Sequence, residues 1–255
     1  MLNKLFDLNG KVAIITGSSK GIGQNIAYAM AKQGAKVVLS SRNHDALDHL
    51  RQQFEHESLL AYSKVCHVGV EEELKELVEY TLDTCGRVDI VVNNAATNPK
   101  YCSLEDADLG LFDKMIQVNL KGPFTLSNFV FPYFKAQNSG NIINISSVEG
   151  IKPSKGLGLY SINKAALIAL TRSQALEWGK YNIRSNAILP GLVKTKFSEV
   201  MWNDAKLATQ WMGNIPLKRI ATPEELMGLG IFLASDASSY CTGQCFVADG
   251  GYLVS

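Results

Sequence analysis

Short, nearly continuous apolar runs alternate with helix-period stretches along the whole chain, and nothing else in it restricts the fold as much. Lys11-Val12-Ala13-Ile14-Ile15-Thr16 is the first run, apolar on both faces as a fully buried strand requires. A helical pattern through Ile26, Ala27, Met30 and Ala31 follows, and Gly34 ends it before the second strand, Ala35 to Ser40. The spacing then predicts a helix over 43–56, a strand over 59–66, a helix over 71–85 and the strand Val88 to Asn93. A long helical region covers 105–136, with Gly122-Pro123 expected to interrupt it. Asn141 to Ser146 and Ile183 to Ile188 are further strands. A helix carries Tyr160, another starts at Pro223 with Thr222 as N-cap, and Gln244 to Ala248 closes the sheet. Strict strand–helix alternation means parallel strands in a doubly wound α/β sheet flanked by helices on both faces, a Rossmann-type single domain over 1–255.

The bulk numbers exclude several classes. Lys plus Arg outnumber Asp plus Glu by 25 to 24, so no net field draws the chain to nucleic acid or to a membrane surface. No apolar run reaches the roughly 20 residues of a spanning helix. Met1 to Gly10 lacks the apolar core of a signal peptide, and Tyr252-Leu253-Val254-Ser255 is not a peroxisomal address. The five cysteines, Cys66, Cys85, Cys102, Cys241 and Cys245, are scattered and read as free thiols in a cytoplasmic protein. No metal site is expected, since His44, His49 and His56 fall on or beside one surface helix without a convergent thiolate or carboxylate.

The turn after the first strand is Gly17-Ser18-Ser19-Lys20-Gly21-Ile22-Gly23. Glycines placed between a buried strand and a helix let the backbone approach a pyrophosphate, which the helix N-terminus then stabilises. No Gly-Lys-Ser/Thr follows, so this is not a kinase or ATPase P-loop. The second strand ends in Ser40-Ser41-Arg42, where a protein holding NAD usually carries a carboxylate for the ribose, about 20 residues beyond the glycines. Arg42, with Lys20 from the glycine turn and the Ser41 hydroxyl, suits a 2′-phosphate instead, so NADP(H) is expected over NAD(H). Asn93-Asn94-Ala95-Ala96 ends the fourth strand with small residues and turn-pinning amides.

Tyr160-Ser161-Ile162-Asn163-Lys164 opens a strong helical pattern, and residues four apart share one helix face. An ammonium beside a phenol lowers the phenol's ordinary pKa of about 10 and makes a general acid/base of it. By itself Tyr-x-x-x-Lys also suits an ordinary surface helix. The segment 194–216 carries Phe197, Met201, Trp202, Trp211 and Met212, and it leaves from a strand's carboxyl end, where open α/β sheets bind ligands. It reads either as a lid over an apolar substrate, with Phe197 and Trp202 in contact, or as packing and subunit contact.

Taken together, Thr16-Gly17-x-x-x-Gly21-x-Gly23, Asn93-Asn94-Ala95, Asn119, Ser147, Tyr160-x-x-x-Lys164 and Pro190-Gly191 resemble the short-chain dehydrogenase/reductase family, in its order and spacing, from about residue 8 to 251. The resemblance implies that Tyr160 exchanges the proton, Lys164 lowers its pKa and binds the nicotinamide ribose, and Ser147 holds the substrate oxygen. It gives Asn119 a water that relays protons to Lys164. Ser146 points to the opposite face if strand geometry persists. The resemblance further places Pro190, Gly191, Val193 and Thr195 at the nicotinamide end, and His67 and Val68 where many members have an Asp beside adenine. His67 stays open between an adenine contact and a strand-end histidine. Val65-Cys66-His67-Val68-Gly69, Asn94 to Pro99, Leu189 to Thr195 and Phe197 to Trp202 are most similar to the NADPH-dependent carbonyl, retinal and dicarbonyl reductase branch, which implies a homotetramer and a small carbonyl substrate. The alternatives are a 3-oxoacyl-thioester reductase, and a nucleotide-sensing protein that kept the fold without turnover.

Overall fold

The computed structural model describes residues 2–255; Met1 lies outside them. A helical turn α1 (Leu2–Leu5) precedes β1 (Val12–Thr16), α2 (Gly21–Lys32), β2 (Lys36–Ser41), α3 (His44–His56), β3 (Ala61–Val65), α4 (Glu71–Cys85) and β4 (Ile90–Asn93). The second half runs α5 (Leu109–Ile116), α6 (Gly122–Ala136), β5 (Gly140–Ile145), α7 (Gly158–Trp178), β6 (Ile183–Pro190), α8 (Glu199–Trp202), α9 (Ala205–Gly213), α10 (Met227–Ala234) and β7 (Cys245–Ala248). All seven strands are parallel, in the order β3-β2-β1-β4-β5-β6-β7.

Alternate residues of each strand feed opposite faces, the period-2 consequence of the pleat. Ala13, Ile15, Val37, Leu39, Ile143 and Ile188 pack with Ile26 and Met30 of α2, Leu50 and Phe54 of α3 and Leu233 of α10. Val12, Ile14, Val38, Val91 and Ile142 pack on the other face with Leu74 and Leu77 of α4 and with Leu126, Val130 and Phe134 of α6. Both faces are therefore covered, which is why the strands read as unbroken apolar runs. The chain winds outward from β1 to β3, returns to β4 beside β1, and winds the other way. This reversal leaves a crevice at the carboxyl ends of β1 and β4, where such sheets bind ligands.

One sequence expectation shifts. Gly122-Pro123 does not interrupt the helical region, and 105–108 stays outside it. The chain is helical without a break from Leu109 to Ala136, and its irregularity is a π-turn at Gln117–Lys121. Pro123 has no N–H for a regular helical ladder, and the π-turn directly before it is where the bonding is rearranged. A Cβ on Gly122 would lie 2.6 Å from the Val68 carbonyl oxygen, so this glycine serves close packing.

Candidate active site

The crevice holds a cleft of about 780 Å³ that reaches from Arg42 to Trp211. Its first wall is the glycine turn. Gly17 has φ +65, in the left-handed region, and a Cβ there would meet the Ala95 backbone at 2.9 Å. A Cβ on Gly23 would lie 2.3 Å from the Asn94 amide nitrogen. That amide donates to the Thr16 and Gly17 carbonyls at 2.9 and 3.0 Å, while Thr16 Oγ1 accepts from the Asn94 and Ala95 backbone N–H groups at 3.1 Å each. The ends of β1 and β4 are thus laced together. Gly23 lies behind this lacing and does not line the cleft, although it had been expected among the cofactor contacts.

Gly17, Ser19, Lys20, Gly21 and Ile22 line the cleft, and the N-cap of α2 makes no side-chain hydrogen bond. The first amides of α2 are therefore available to an anion, as pyrophosphate binding requires. Ser41, Arg42, His67 and Val68 line the same end. Lys20 and Arg42 are exposed and belong to no ion pair among the described residues. His67 Nδ1 accepts from the Gly69 backbone at 3.0 Å, which puts the ring proton of neutral His67 on Nε2. Cys66 is beside it, and burial pushes its thiol up to about 12, so it stays a protonated wall residue. The structural features fit a dinucleotide: a glycine cradle that side chains would fill, a free helix N-terminus, and two unpaired cations at the far end.

At the other end, Ser147 caps a 3₁₀ turn, Val148–Gly150, and Tyr160 lies in the first turn of α7. Burial raises the Tyr160 phenol well above its ordinary value; the Ser147 hydroxyl hydrogen bond opposes this, and Tyr101 and Glu149 add to it. Lys164 is 2% exposed and donates to the Ile145 carbonyl at 2.7 Å, with its nitrogen 5.5 Å from the Tyr160 ring centroid. Burial lowers Lys164 to about 7. The sequence expectation of a phenol acidified by its neighbour is therefore corrected for the protein by itself. Proximity is present, but desolvation of two ionisable groups outweighs their attraction. Ser146 also borders the cleft, but its hydroxyl donates to the Lys164 carbonyl at 2.8 Å, tying the end of β5 to α7.

Two further expectations change. Asn119 is fully buried in the π-turn, and its side chain is spent on Thr97: Oδ1 accepts from the Thr97 N–H at 2.7 Å and Nδ2 donates to the Thr97 carbonyl at 2.9 Å. It does not line the cleft, and the two bonds make its amide a pin for the Thr97 backbone. Trp202 does not line the cleft either. Its indole N–H donates to the Thr195 carbonyl at 2.9 Å, and Lys194 lies over its ring, so it braces the 194–216 segment from behind. Phe197 does reach the site, its ring 5.8 Å from that of Tyr160.

Asn94, Ala95, Ala96, Pro190, Gly191, Val193 and Thr195 all line the cleft as expected. Lining residues outside the expected site include Asn98, Tyr101, Glu149, Leu157, Met201 and Trp211. Met201 and Trp211 belonged to the aromatic segment already singled out; the others sit in loops or at a helix start, where periodicity gives no signal. The five cysteines are all free, and no group of residues that would hold a metal ion occurs among the described residues.

Comparison with known proteins agrees with this geometry. The family model described as enoyl-(acyl carrier protein) reductase matches residues 17–253. Dehydrogenase/reductase SDR family member 4 of Oryctolagus cuniculus is 38% identical over 244 residues, which cover 96% of this chain and 94% of that protein. Among solved structures, a gluconate 5-dehydrogenase from Burkholderia cenocepacia in complex with NADP and tartrate superposes with a TM-score of 0.96, at 30% identity and full coverage of both chains. A 7α-hydroxysteroid dehydrogenase complexed with NADH and 7-oxo glycochenodeoxycholic acid does so at 0.93, with 31% identity over 97% of this chain and 96% of that one. With a doubly wound sheet, a glycine turn at its switch point and a Tyr–Lys pair on α7, the chain belongs to the short-chain dehydrogenase/reductase family and is a nicotinamide-dependent oxidoreductase.

Proposed function

We propose that the protein reduces a ketone, aldehyde or α-dicarbonyl to an alcohol with NADPH. The observation that carries this is the site around Tyr160: a protonated phenol, a serine hydroxyl beside it and a buried lysine, all in one cleft with the glycine turn. The nicotinamide, when bound, supplies the hydride. Ser147 donates to the carbonyl oxygen and polarises it. Tyr160 gives its proton to that oxygen as charge develops there. Its raised pKa keeps it in the acid form over the neutral range, as the reductive direction requires. Lys164, set 5.5 Å from the Tyr160 ring centroid, orients the ribose and supplies positive charge to the phenolate that Tyr160 becomes. Asn119 contributes by holding Thr97, and any proton relay through it runs by its main chain.

Arg42 and Lys20 would pair with the 2′-phosphate, with Ser41 adding a hydroxyl and His67 and Val68 flanking adenine. The segment 194–216 would act as the lid, with Phe197, Met201 and Trp211 giving the substrate an apolar wall. Free thiols suit a reducing compartment, the cytoplasm. Among the described residues, no helix is long and apolar enough to cross a membrane. Exposed Phe124 and Tyr133 on α6, Ile162 and Leu176 on α7, and Val247 on the edge strand β7 support a homotetramer, which light scattering would check.

A second reading, reduction of a 3-oxoacyl thioester, is favoured by the description of the matching family model and by exposed Lys114 and Lys196 on the cleft wall. NADPH and NADH oxidation with an α-diketone, a phenyl ketone and an acetoacetyl thioester separates the two. The diketone or phenyl ketone should be preferred, with NADPH; a clear preference for the thioester would replace the first reading by the second.

A further inference from the structure

Glu149 is a buried carboxylate that the proton transfer does not use. It is 5% exposed and is the one acidic residue among those lining the cleft. It accepts three hydrogen bonds and makes no ion pair among the described residues. The Ser154 hydroxyl donates to Oε1 at 2.6 Å, while the Ser154 backbone and the Ser161 hydroxyl donate to Oε2 at 2.8 and 3.0 Å. Glu149 lies two residues beyond Ser147, and its partner Ser161 follows Tyr160, so the carboxylate sits at the same end of the cleft as the two groups proposed to hold the substrate oxygen. The lining cations do not cancel it. Lys20 and Arg42 lie at the far end, Lys114 and Lys196 are exposed and screened by solvent, and Lys164 is directed at the Ile145 carbonyl.

Resting on the carbonyl-reductase reading above, we propose that Glu149 is a specificity-determining residue that rejects carbonyl substrates carrying a carboxylate next to the reacting carbon and so selects neutral ones. A second anion at this end of the cleft would face a carboxylate held by three hydrogen bonds and paired with no cation among the described residues. Glu149 acts through its charge, and that charge can be separated from its structural role. In Glu149→Gln the amide oxygen takes the Oε2 place and still accepts from Ser154 N–H and Ser161. The amide nitrogen takes the Oε1 place and donates to the Ser154 hydroxyl, which reverses its own proton.

Pyruvate and methyl pyruvate are the probes, because they share a reacting ketone and differ in charge. The wild-type enzyme with NADPH should favour the ester strongly in kcat/KM. Glu149→Gln should shrink the ester-to-acid ratio at least 10-fold, mainly by raising the value for pyruvate. Ser161→Ala, which loses a hydrogen bond but keeps the charge, should lower activity on both probes and leave the ratio within twofold. A Glu149→Gln ratio unchanged while ester activity persists overturns the inference. So does wild-type enzyme that turns over pyruvate within twofold of its ester, a result that needs no variant to fold. Failure of the parent reading would show differently, as no NADPH oxidation with methyl pyruvate at all, and it would overturn this inference with it.

Discussion

Replacing Asn119 by alanine tests whether that side chain is a backbone pin or a participant in proton transfer. The variant deletes two hydrogen bonds, 2.7 and 2.9 Å long, that join the π-turn to Thr97 on the cleft wall. Each contributes about 1 kcal/mol net, so about 2 kcal/mol is lost directly. The Thr97 N–H and C=O are then left to find water; since Thr97 is half-buried, that adds a fraction of the roughly 1–3 kcal/mol cost of an orphaned group. The expected loss is about 2–4 kcal/mol, or a fall in Tm of about 5–15 °C for a domain of this size. Urea unfolding with both intrinsic fluorescence and circular dichroism would give the free energy, and the same preparations would give kcat and KM. Asn119→Asp should be worse at neutral pH than at pH 5, because it presents a carboxylate oxygen to the Thr97 carbonyl. If Asn119→Ala unfolds at the wild-type urea concentration while kcat collapses, the side chain works in the chemistry and the pin is wrong.

Arg42→Ala removes a cation that nothing else in the protein engages. It should weaken NADPH about 10–100-fold and NADH less than threefold, measured by fluorescence titration; equal losses would mean that Arg42 does not read the phosphate. The stability of the cofactor-free protein should rise from pH 7 towards pH 10. Lys164 is lowered to about 7 when folded against 10.5 when unfolded, so across that window the unfolded chain holds the extra proton and rising pH favours the fold. Above about 10 the half-buried Tyr160, whose folded pKa is raised, reverses the trend. Lys164→Met should abolish the rise in chemical-denaturation curves taken at pH 7 and 9, and a persisting rise would place its origin elsewhere. Trp202→Phe, which loses the bond to the Thr195 carbonyl, should raise KM for both NADPH and the carbonyl about 3- to 10-fold with kcat nearly unchanged. A change in substrate selectivity instead would put the indole in the cleft.

The sheet was legible because its signals are local and redundant. Val12–Thr16 is apolar on both faces because both faces are covered, and the glycine turn marks the strand's exit towards a helix. The helix expected at 71–85 has those bounds, helped by three consecutive glutamates at its start and by Gly86, with φ +78, at its end. The interruption expected at Gly122-Pro123 takes the form of a π-turn over Gln117–Lys121, directly before that pair, and not of a break: Pro123 lacks the N–H of a regular ladder, and the helix rearranges its bonding there and runs on. Trp202 and Trp211 look equivalent in sequence. Trp202 is in the short α8 and turns its indole back to Thr195, whereas Trp211 in α9 stacks on Tyr252 at 5.6 Å and borders the cleft.

The chemistry was legible as proximity and illegible as sign. A four-residue spacing does bring Lys164 beside Tyr160, its nitrogen 5.5 Å from the ring centroid, where a phenolate and an ammonium would attract. That attraction acts only if both groups are ionised; Lys164 is buried and Tyr160 is half-buried, so both ionisations are penalised. Desolvation lowers the amine to about 7 and pushes the phenol the other way, so in the protein alone the favoured pair is an uncharged phenol beside a lysine close to its own midpoint. Spacing can be read from a sequence, whereas burial depends on segments far apart in the chain, such as Phe197, whose ring lies 5.8 Å from that of Tyr160. The same burial that defeats the simple acidification argument suits carbonyl reduction. It keeps the Tyr160 proton in place until the substrate oxygen becomes basic enough to take it, and it leaves Lys164 free to charge as the phenolate forms.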